Sequence, residues 1–279
     1  MKSCITEKSI MKKLLILLLL FTLSACATSP TGRSQLMLIS PEQAILSSKE
    51  AYVQTLQPLH DDGKIDSDVV VSKRIRLITG RLIAQAIVLY PNTSEWEWSV
   101  KVIDDPEMVN AWCMAGGKMA IYTGLIEQTK ATDDEIAQVM GHEISHALAN
   151  HTAERMSIAM ASQVGLMGLA VALGSNEYGG AVLAGSSAAA AVAITLPNSR
   201  TSEVEADAIG IELAARAGYN PKAAASLWQK MGEVGGDGPP EFLSTHPSPD
   251  NRKETLTALA EEVMPYYLDK SKRPVYQLQ

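Results

Sequence analysis

The spacing of apolar residues along this chain changes from helical to alternating and back to helical. A helical pattern runs from Pro41 to about Leu56, followed by a polar break at His60 to Asp68. Val69, Ile75, Ile78, Leu82 and Ile83 then recur at helical spacing, with Lys73, Arg74, Arg76 and Arg81 mainly between them, until Pro91 stops the run. Residues 95–104 (EWEWSVKVID) alternate as a strand does. Residues 108–115 and 118–123 flank Gly116-Gly117 and predict two more strands joined by a tight turn. Thr132 followed three residues later by Glu135 is a capping-box signature, and Ile136, Val139, Met140, Ile144 and Ala147 supply one apolar face, so a helix is expected from about Asp133 to Asn150. Helical periodicity returns over 199–219, Pro221 to Met231 and Pro249 to Met264, with a flexible break at 235–240 (GGDGPP). One mainly helical α+β domain over 41–279 follows, without long repeats.

Composition supports a packed domain. With 279 residues, 46% of them apolar, the chain can bury a real core, so disorder is not the default. The formal charge of -7 comes from 24 basic and 31 acidic residues, and no basic stripe with interleaved aromatics is present. Nucleic acid is therefore excluded as a main partner.

The first residues read as an address. Met11-Lys12-Lys13 is a positive region and Leu14 to Leu23 an apolar one, shorter than the roughly 20 residues a membrane span needs. Leu23-Ser24-Ala25-Cys26 then resembles a bacterial lipobox, which implies a signal peptide over 1–25, lipidation of Cys26, a lipidated spacer over 26–40 and a tether to a membrane face. The alternative is an ordinary signal peptide with an incidental cysteine. Ala27 in place of an aspartate favours, by the same resemblance, the outer over the inner membrane on the periplasmic side. Loss of residues 1–25, which hold Lys2, Lys8, Lys12, Lys13 and Glu7, leaves 20 basic and 30 acidic residues and a charge of -10. Cys4 would be removed and Cys26 acylated, leaving Cys113 as a small core hydrophobe with no disulfide partner.

Candidate chemistry is concentrated in VMGHEISHALANH, residues 139–151. His142 and His146 are four apart and project from one helix face, where two imidazoles can share a zinc ion. Glu143, offset by about 100°, can reach a water on that metal. Catalytic zinc usually takes three protein ligands, and the spare histidines are His60, His151 and His246, so a carboxylate is the expected third donor. In the segment at 199–219, Glu203 and Asp207 share a face while Glu205 lies roughly 160° away. Glu203 is thus expected to complete a site for one zinc ion, with Asp207 holding an imidazole N–H and Glu205 solvated. His151 falls off the four-residue register and reads as a helix-end cation near the negative dipole.

Four separated motifs then carry a family resemblance. GHEISHALANHTAERMS, SRTSEVEADAIGIELAARAGYNPKAAASLWQKM and FLSTHPSPDNR, with NAWCMAGGKMAIYTGL before them, resemble the successive signatures of the HtpX/BepA/Oma-type zinc metallopeptidases, metallopeptidase family forty-eight, over about Met108 to Arg252. The resemblance implies a zincin-like gluzincin domain with a small β-sheet whose edge strand binds substrate. By position it implies His142, His146 and Glu203 as zinc ligands, Glu143 as general base and Asp207 as their support. His246 would sit over the metal, either as a removable fourth ligand or as a partner for the substrate oxyanion, and Arg252 would pin its loop. Asn110 and Ala111 would contact substrate through β-augmentation. Where the family has a proline before the paired glycines, this chain has Ala115.

The segment from Met156 to Ser199 carries Glu177 as its lone charge and is rich in Ala, Gly and Ser. A buried helical pair covering the cleft is the expectation, over a membrane-inserting hairpin, because Gly174-Ser175-Asn176 and Gly179-Gly180 interrupt the apolar run. Two function classes follow. The first is a zinc endopeptidase degrading misfolded or stalled membrane and periplasmic polypeptides, with envelope assembly machinery as a possible partner. The second is a zinc-stabilised chaperone or binding module with latent protease activity. Glu143 favours the first, since a structural metal needs no base beside it.

Overall fold

The computed structural model describes residues 26–172, 199–234, 241–247, 251–271 and 273–278. The expected leader at 1–25 and the break at 235–240 lie outside the described residues, as does 173–198 of the cleft-covering pair expected over 156–199, whose earlier part is helical through Ala172.

The stretch expected to be a spacer begins with ordered structure. β1 (Cys26–Thr28) and β2 (Ser34–Leu36) pair antiparallel, with Ala27 opposite Gln35, around a turn at Gly32. Ser29 and Gln35 are buried against the body of the protein by polar contacts, which a search for apolar periodicity does not detect. α1 (Pro41–Asp61) starts on a capping box in which Ser40 and Gln43 exchange hydrogen bonds. It continues past Leu56 through Pro58, whose exposed position leaves the unmatched carbonyl one turn earlier free to meet water. α2 (Val69–Leu89) is capped by the Asp68 carboxylate and buries Ile75, Ile78, Leu82 and Ile83, whereas Val69 is exposed.

Pro91 starts a 3₁₀ turn through Glu95, so the strand expected over 95–104 shortens to β3 (Ser99–Ile103). The Trp98 indole N–H closes this turn on the Thr93 carbonyl. β4 (Ala111–Met114) and β5 (Lys118–Tyr122) complete a sheet in the order β3-β5-β4, with β3 parallel and β4 antiparallel to β5. β4 is therefore an edge strand. In the β4–β5 turn Gly117 N–H donates to the Met114 carbonyl, and Gly116 takes a φ of +80° that suits glycine.

After the short α3 (Thr123–Gln128) comes α4 (Asp133–Leu148), whose Thr132/Glu135 capping box forms as the sequence predicts. Asn150, at φ +56°, ends it and turns the chain into α5 (His151–Ala172). α6 (Arg200–Ala217) is capped by Ser199 and stopped by left-handed Gly218. α7 (Ala223–Glu233), α8 (Glu241–Thr245) and α9 (Arg252–Leu268) follow. α2, the sheet, α4 and α6 enclose the main core, with Ile83, Ile121, Met140, Ile144 and Leu213 fully buried. The most extensive helix contact is between α4 and α6, where Gly141 meets Gly210. Among the described residues no helix is long and apolar enough to cross a membrane. The fold is a mainly helical α+β domain with small sheets, as expected.

Candidate metal centre

The close crossing of α4 and α6 sets the first turn of α6 against the middle of α4. His142 and His146 bring their Nε2 atoms within 3.1 Å of each other. Glu203, fully buried, approaches from α6, its Oε2 lying 3.3 Å from His142 Nε2 and its Oε1 3.4 Å from His146 Nε2. His246 arrives just after α8, and one ligand atom from each of these four residues falls within 4.8 Å of all the others.

Asp207, one turn beyond Glu203, accepts from His142 Nδ1 at 3.0 Å and is itself held by Arg252 at 2.6 Å. The Arg252 guanidinium lies 3.4 Å over the Trp228 ring, so cation–π contact fixes the arginine that fixes the aspartate. With Nδ1–H committed to Asp207, Nε2 is the nitrogen of His142 that would give its lone pair to a metal once its proton is released.

The cluster suits a cation. Glu203 Oε1 and Oε2 and Glu143 Oε1 are buried without a hydrogen-bond partner; the imidazoles and Arg252 Nη1, 3.4 Å from Glu203 Oε2, meet the Glu203 charge at ion-pair distance without hydrogen-bonding it, so a bound cation would satisfy these oxygens further. Zinc–nitrogen bonds of about 2.0–2.1 Å at a tetrahedral angle set two nitrogens roughly 3.3 Å apart, close to the spacing of the two imidazoles. Two histidines and a carboxylate are also a donor set that zinc accepts.

Burial sets the electrostatics. It acts to raise Glu203, but the two imidazoles override it and hold this carboxylate below its ordinary range. It pushes Glu143 up to about 8, against the pull of His142, Arg155 and the Cys113 backbone N–H. It pushes His246 down to about 3. His142 moves the other way, to about 9, because Asp207 and Glu203 outweigh its burial.

A family model described as Peptidase family M48 matches residues 72–260, from α2 into α9. The chain belongs to peptidase family M48. M48 peptidases are zinc-dependent metalloendopeptidases, and His142, His146 and Glu203 form the group that could hold this metal. Among similar proteins, the mitochondrial metalloendopeptidase OMA1 of Arabidopsis thaliana is 38% identical over 159 residues, which are 57% of this chain and 31% of that relative. The mitochondrial metalloendopeptidase OMA1 of Bos taurus is 30% identical over 263 residues, 89% of this chain and 49% of its own length. The beta-barrel assembly-enhancing protease of Yersinia pestis is 30% identical over 206 residues, 71% of this chain and 41% of its own length. The M48 chain thus spans about half, or less, of these relatives.

Beside the cluster of this M48 chain lies a cleft of about 330 Å³, lined by Asn110, Ala111, Trp112, Glu143, His146 and Arg155 among others. Its wall is the edge strand β4. Asn110 and Ala111 are therefore brought to the cleft, although the Asn110 Oδ1 is occupied by the Ala111 backbone N–H at 2.8 Å. Cys113 is buried, and burial pushes its thiol well up, in keeping with a core role.

Two expectations are corrected. His151 is not a helix-end cation of α4: burial holds its pKa below the ordinary histidine value. The left-handed turn at Asn150 makes it the first residue of α5 and folds it back, 1% exposed, so that its Nδ1 lies 2.7 Å from His146 Nδ1. Glu205 is not solvated either: it is 4% exposed and bound to His151, Thr31 and Arg33. The helix face opposite Glu203 is covered by the β1–β2 hairpin and the start of α5, which the periodicity of α6 alone does not reveal.

Proposed function

We propose that this chain is a zinc-dependent endopeptidase of the bacterial cell envelope, cleaving exposed stretches of misfolded or stalled membrane and periplasmic proteins. The observation that carries the chemistry is the buried Glu143 Oε1, which has no hydrogen bond and lines the cleft between edge strand β4 and the histidine pair. A binding module has no use for a buried carboxylate with one oxygen left without a hydrogen bond at that point.

His142, His146 and Glu203 would hold the zinc, which supplies Lewis acidity for a water and for the scissile carbonyl. β4 lies at the sheet edge along the cleft, and with the Ala111 N–H already bonded to Asn110 Oδ1, an extended peptide would pair with its remaining outer backbone groups, placed by Asn110 and Ala111 without demanding one sequence. Glu143 would take the proton from the attacking water and later deliver it to the leaving amine. No acyl-enzyme is needed. His246 Nδ1 lies 3.0 Å from both the Phe242 carbonyl and the Thr245 hydroxyl, and the tautomer that donates to the carbonyl leaves Nε2, 3.3 Å from Glu143 Oε1, as an acceptor. That tautomer fits a removable fourth ligand better than a donor to an oxyanion. Arg252, through Asp207, keeps His142 in place.

The envelope assignment draws support from the lipobox-like Leu23-Ser24-Ala25-Cys26 and from the name of the Yersinia relative, a protease that enhances β-barrel assembly. Lipidation at Cys26 would tether the domain to the periplasmic face, on the outer membrane in view of Ala27, within reach of envelope assembly machinery.

The full chain loaded with one zinc per polypeptide is expected to degrade unfolded casein, to stop on chelation and to resume on zinc return. Glu143→Gln should keep the zinc and lose about 10²–10⁴-fold in turnover. Equal cleavage by parent and variant would overturn the enzymatic reading. Mass spectrometry of the N-terminus from bacterial membranes tests the anchor; an unacylated Cys26 would refute it.

A further inference from the structure

His142 and His146 are steadied by different means. The first gives its Nδ1–H directly to a carboxylate, Asp207, which an arginine grips from behind. The second faces another imidazole. His146 Nδ1 and His151 Nδ1 are 2.7 Å apart, so one donates and the other accepts. If His146 is to present a bare Nε2 to a metal, its proton sits on Nδ1 and goes to His151. His151 must then carry its own proton on Nε2, which lies 3.1 Å from Glu205 Oε2.

Behind Glu205 stands the N-terminal hairpin. Thr31 Oγ1 donates to Glu205 Oε1 at 2.6 Å and Arg33 Nε to Oε2 at 2.9 Å. The far edge of the same guanidinium makes two 2.6 Å bonds to Glu154, one turn into α5. Gln35 Nε2 donates to Glu154 at 3.0 Å and to the Ala149 carbonyl at 2.8 Å, beside the turn that aims His151. Each histidine of the pair thus ends on a carboxylate that an arginine clamps: Asp207 and Arg252 for one, Glu205 and Arg33 for the other. The second chain is one imidazole longer, and its arginine comes from 172 residues away along the sequence.

We propose that His151 is a positioning residue for the metal centre, and that the hairpin over Ser29 to Gln35 belongs to the same apparatus, fixing the orientation and tautomer of His146 through Arg33, Glu205 and His151. This rests on His146 being a zinc ligand. Partners that hold a ligand's second nitrogen typically set metal affinity by about 10- to 100-fold. The hairpin directly follows the proposed lipidation point, so the region by which the protein is tethered also steadies its zinc.

The test measures zinc affinity of the full chain by competition with a chelator, independently of peptide cleavage. His151→Leu fills the space without the relay and should weaken zinc by about 10- to 100-fold. His151→Gln keeps an acceptor toward His146 and a donor toward Glu205, and should restore most of the loss. Arg33→Gln, at the accessible end of the chain of contacts, should weaken zinc in the same direction but less, which covers the case in which the buried variant fails to fold. Histidine ¹⁵N spectra of the zinc-loaded protein should show His151 protonated on Nε2 and bare on Nδ1. Unchanged affinity in both His151→Leu and Arg33→Gln, equal loss in His151→Leu and His151→Gln, or the opposite tautomer would each overturn the proposal. His146→Ala separates the two levels: if it binds zinc as the parent does, the ligand assignment itself is wrong; if it loses zinc while His151→Leu does not, the relay alone is wrong.

Discussion

Gly141 and Gly210 stand backbone to backbone at the crossing of α4 and α6: a Cβ on Gly210 would lie 2.7 Å from the His142 nitrogen, and one on Gly141 would lie 2.9 Å from the Gly210 carbonyl oxygen. This contact sets how closely Glu203 approaches the histidines. The atoms in the way are main chain and cannot rotate aside. Gly210→Ala is expected to cost about 1–3 kcal/mol of stability by overpacking. Zinc stoichiometry should fall with it, as measured by urea unfolding and elemental analysis; a variant with the parent's stability and zinc content would show that the crossing has slack.

Arg252 is 4% exposed and answers the charge of Asp207 from its place over Trp228. Arg252→Met keeps much of the bulk but leaves a buried carboxylate uncompensated. Breaking a buried pair from one side costs about 3–5 kcal/mol, which denaturant titration of the zinc-loaded chain should register. A loss under 1 kcal/mol would mean that water reaches Asp207.

Asp66 gives a pH signature away from the metal. Burial acts to raise its pKa, but the Val102 backbone N–H, Lys101 and Arg76 outweigh it and hold the carboxyl below the ordinary range. The unfolded chain therefore takes up this proton first on acidification. Stability from the group is present in full above the ordinary aspartate value of about 3.9 and is lost as pH falls through the lower folded value. Asp66→Asn, which tolerates the left-handed φ of +53° there, should lower stability at neutral pH by an amount that shrinks below about pH 4. A pH-independent difference would refute the ion-pair account.

Ala115 occupies the corner before Gly116, where a following residue at positive φ favours proline. Ala115→Pro should raise stability by about 0.4–1 kcal/mol through a stiffer unfolded chain, read as a higher thermal midpoint. A lower midpoint would mean that packing against Ala44, Ala153 and Met156 has no room for the ring.

The sequence shows most clearly what local spacing controls. Four-residue intervals place His142 with His146 and Glu203 with Asp207, and the Thr132 capping box marks where α4 begins. Less legible is whatever depends on distant segments. His151 reads as peripheral because its direction depends on one left-handed residue, Asn150, and Glu205 reads as solvated because its cover is a hairpin held by hydrogen bonds instead of apolar contacts. Strand β3 begins late because Pro91 and Trp98 close a turn across residues that alternate like a strand. Arg33 carried no chemical signal of its own, since nothing near it in the chain announces Glu154 or Glu205.

The edge strand β4 is four residues long, a track of roughly 13 Å at about 3.3 Å per residue. Under the proposed function a polypeptide would lie along it only after giving up its own secondary structure over a comparable length. Compact proteins would thus be spared by their shape, whatever their sequence, and loosened ones exposed. Vulnerability would follow the frequency of local unfolding in the victim, and this short stretch of main chain would gauge foldedness before any bond is cut.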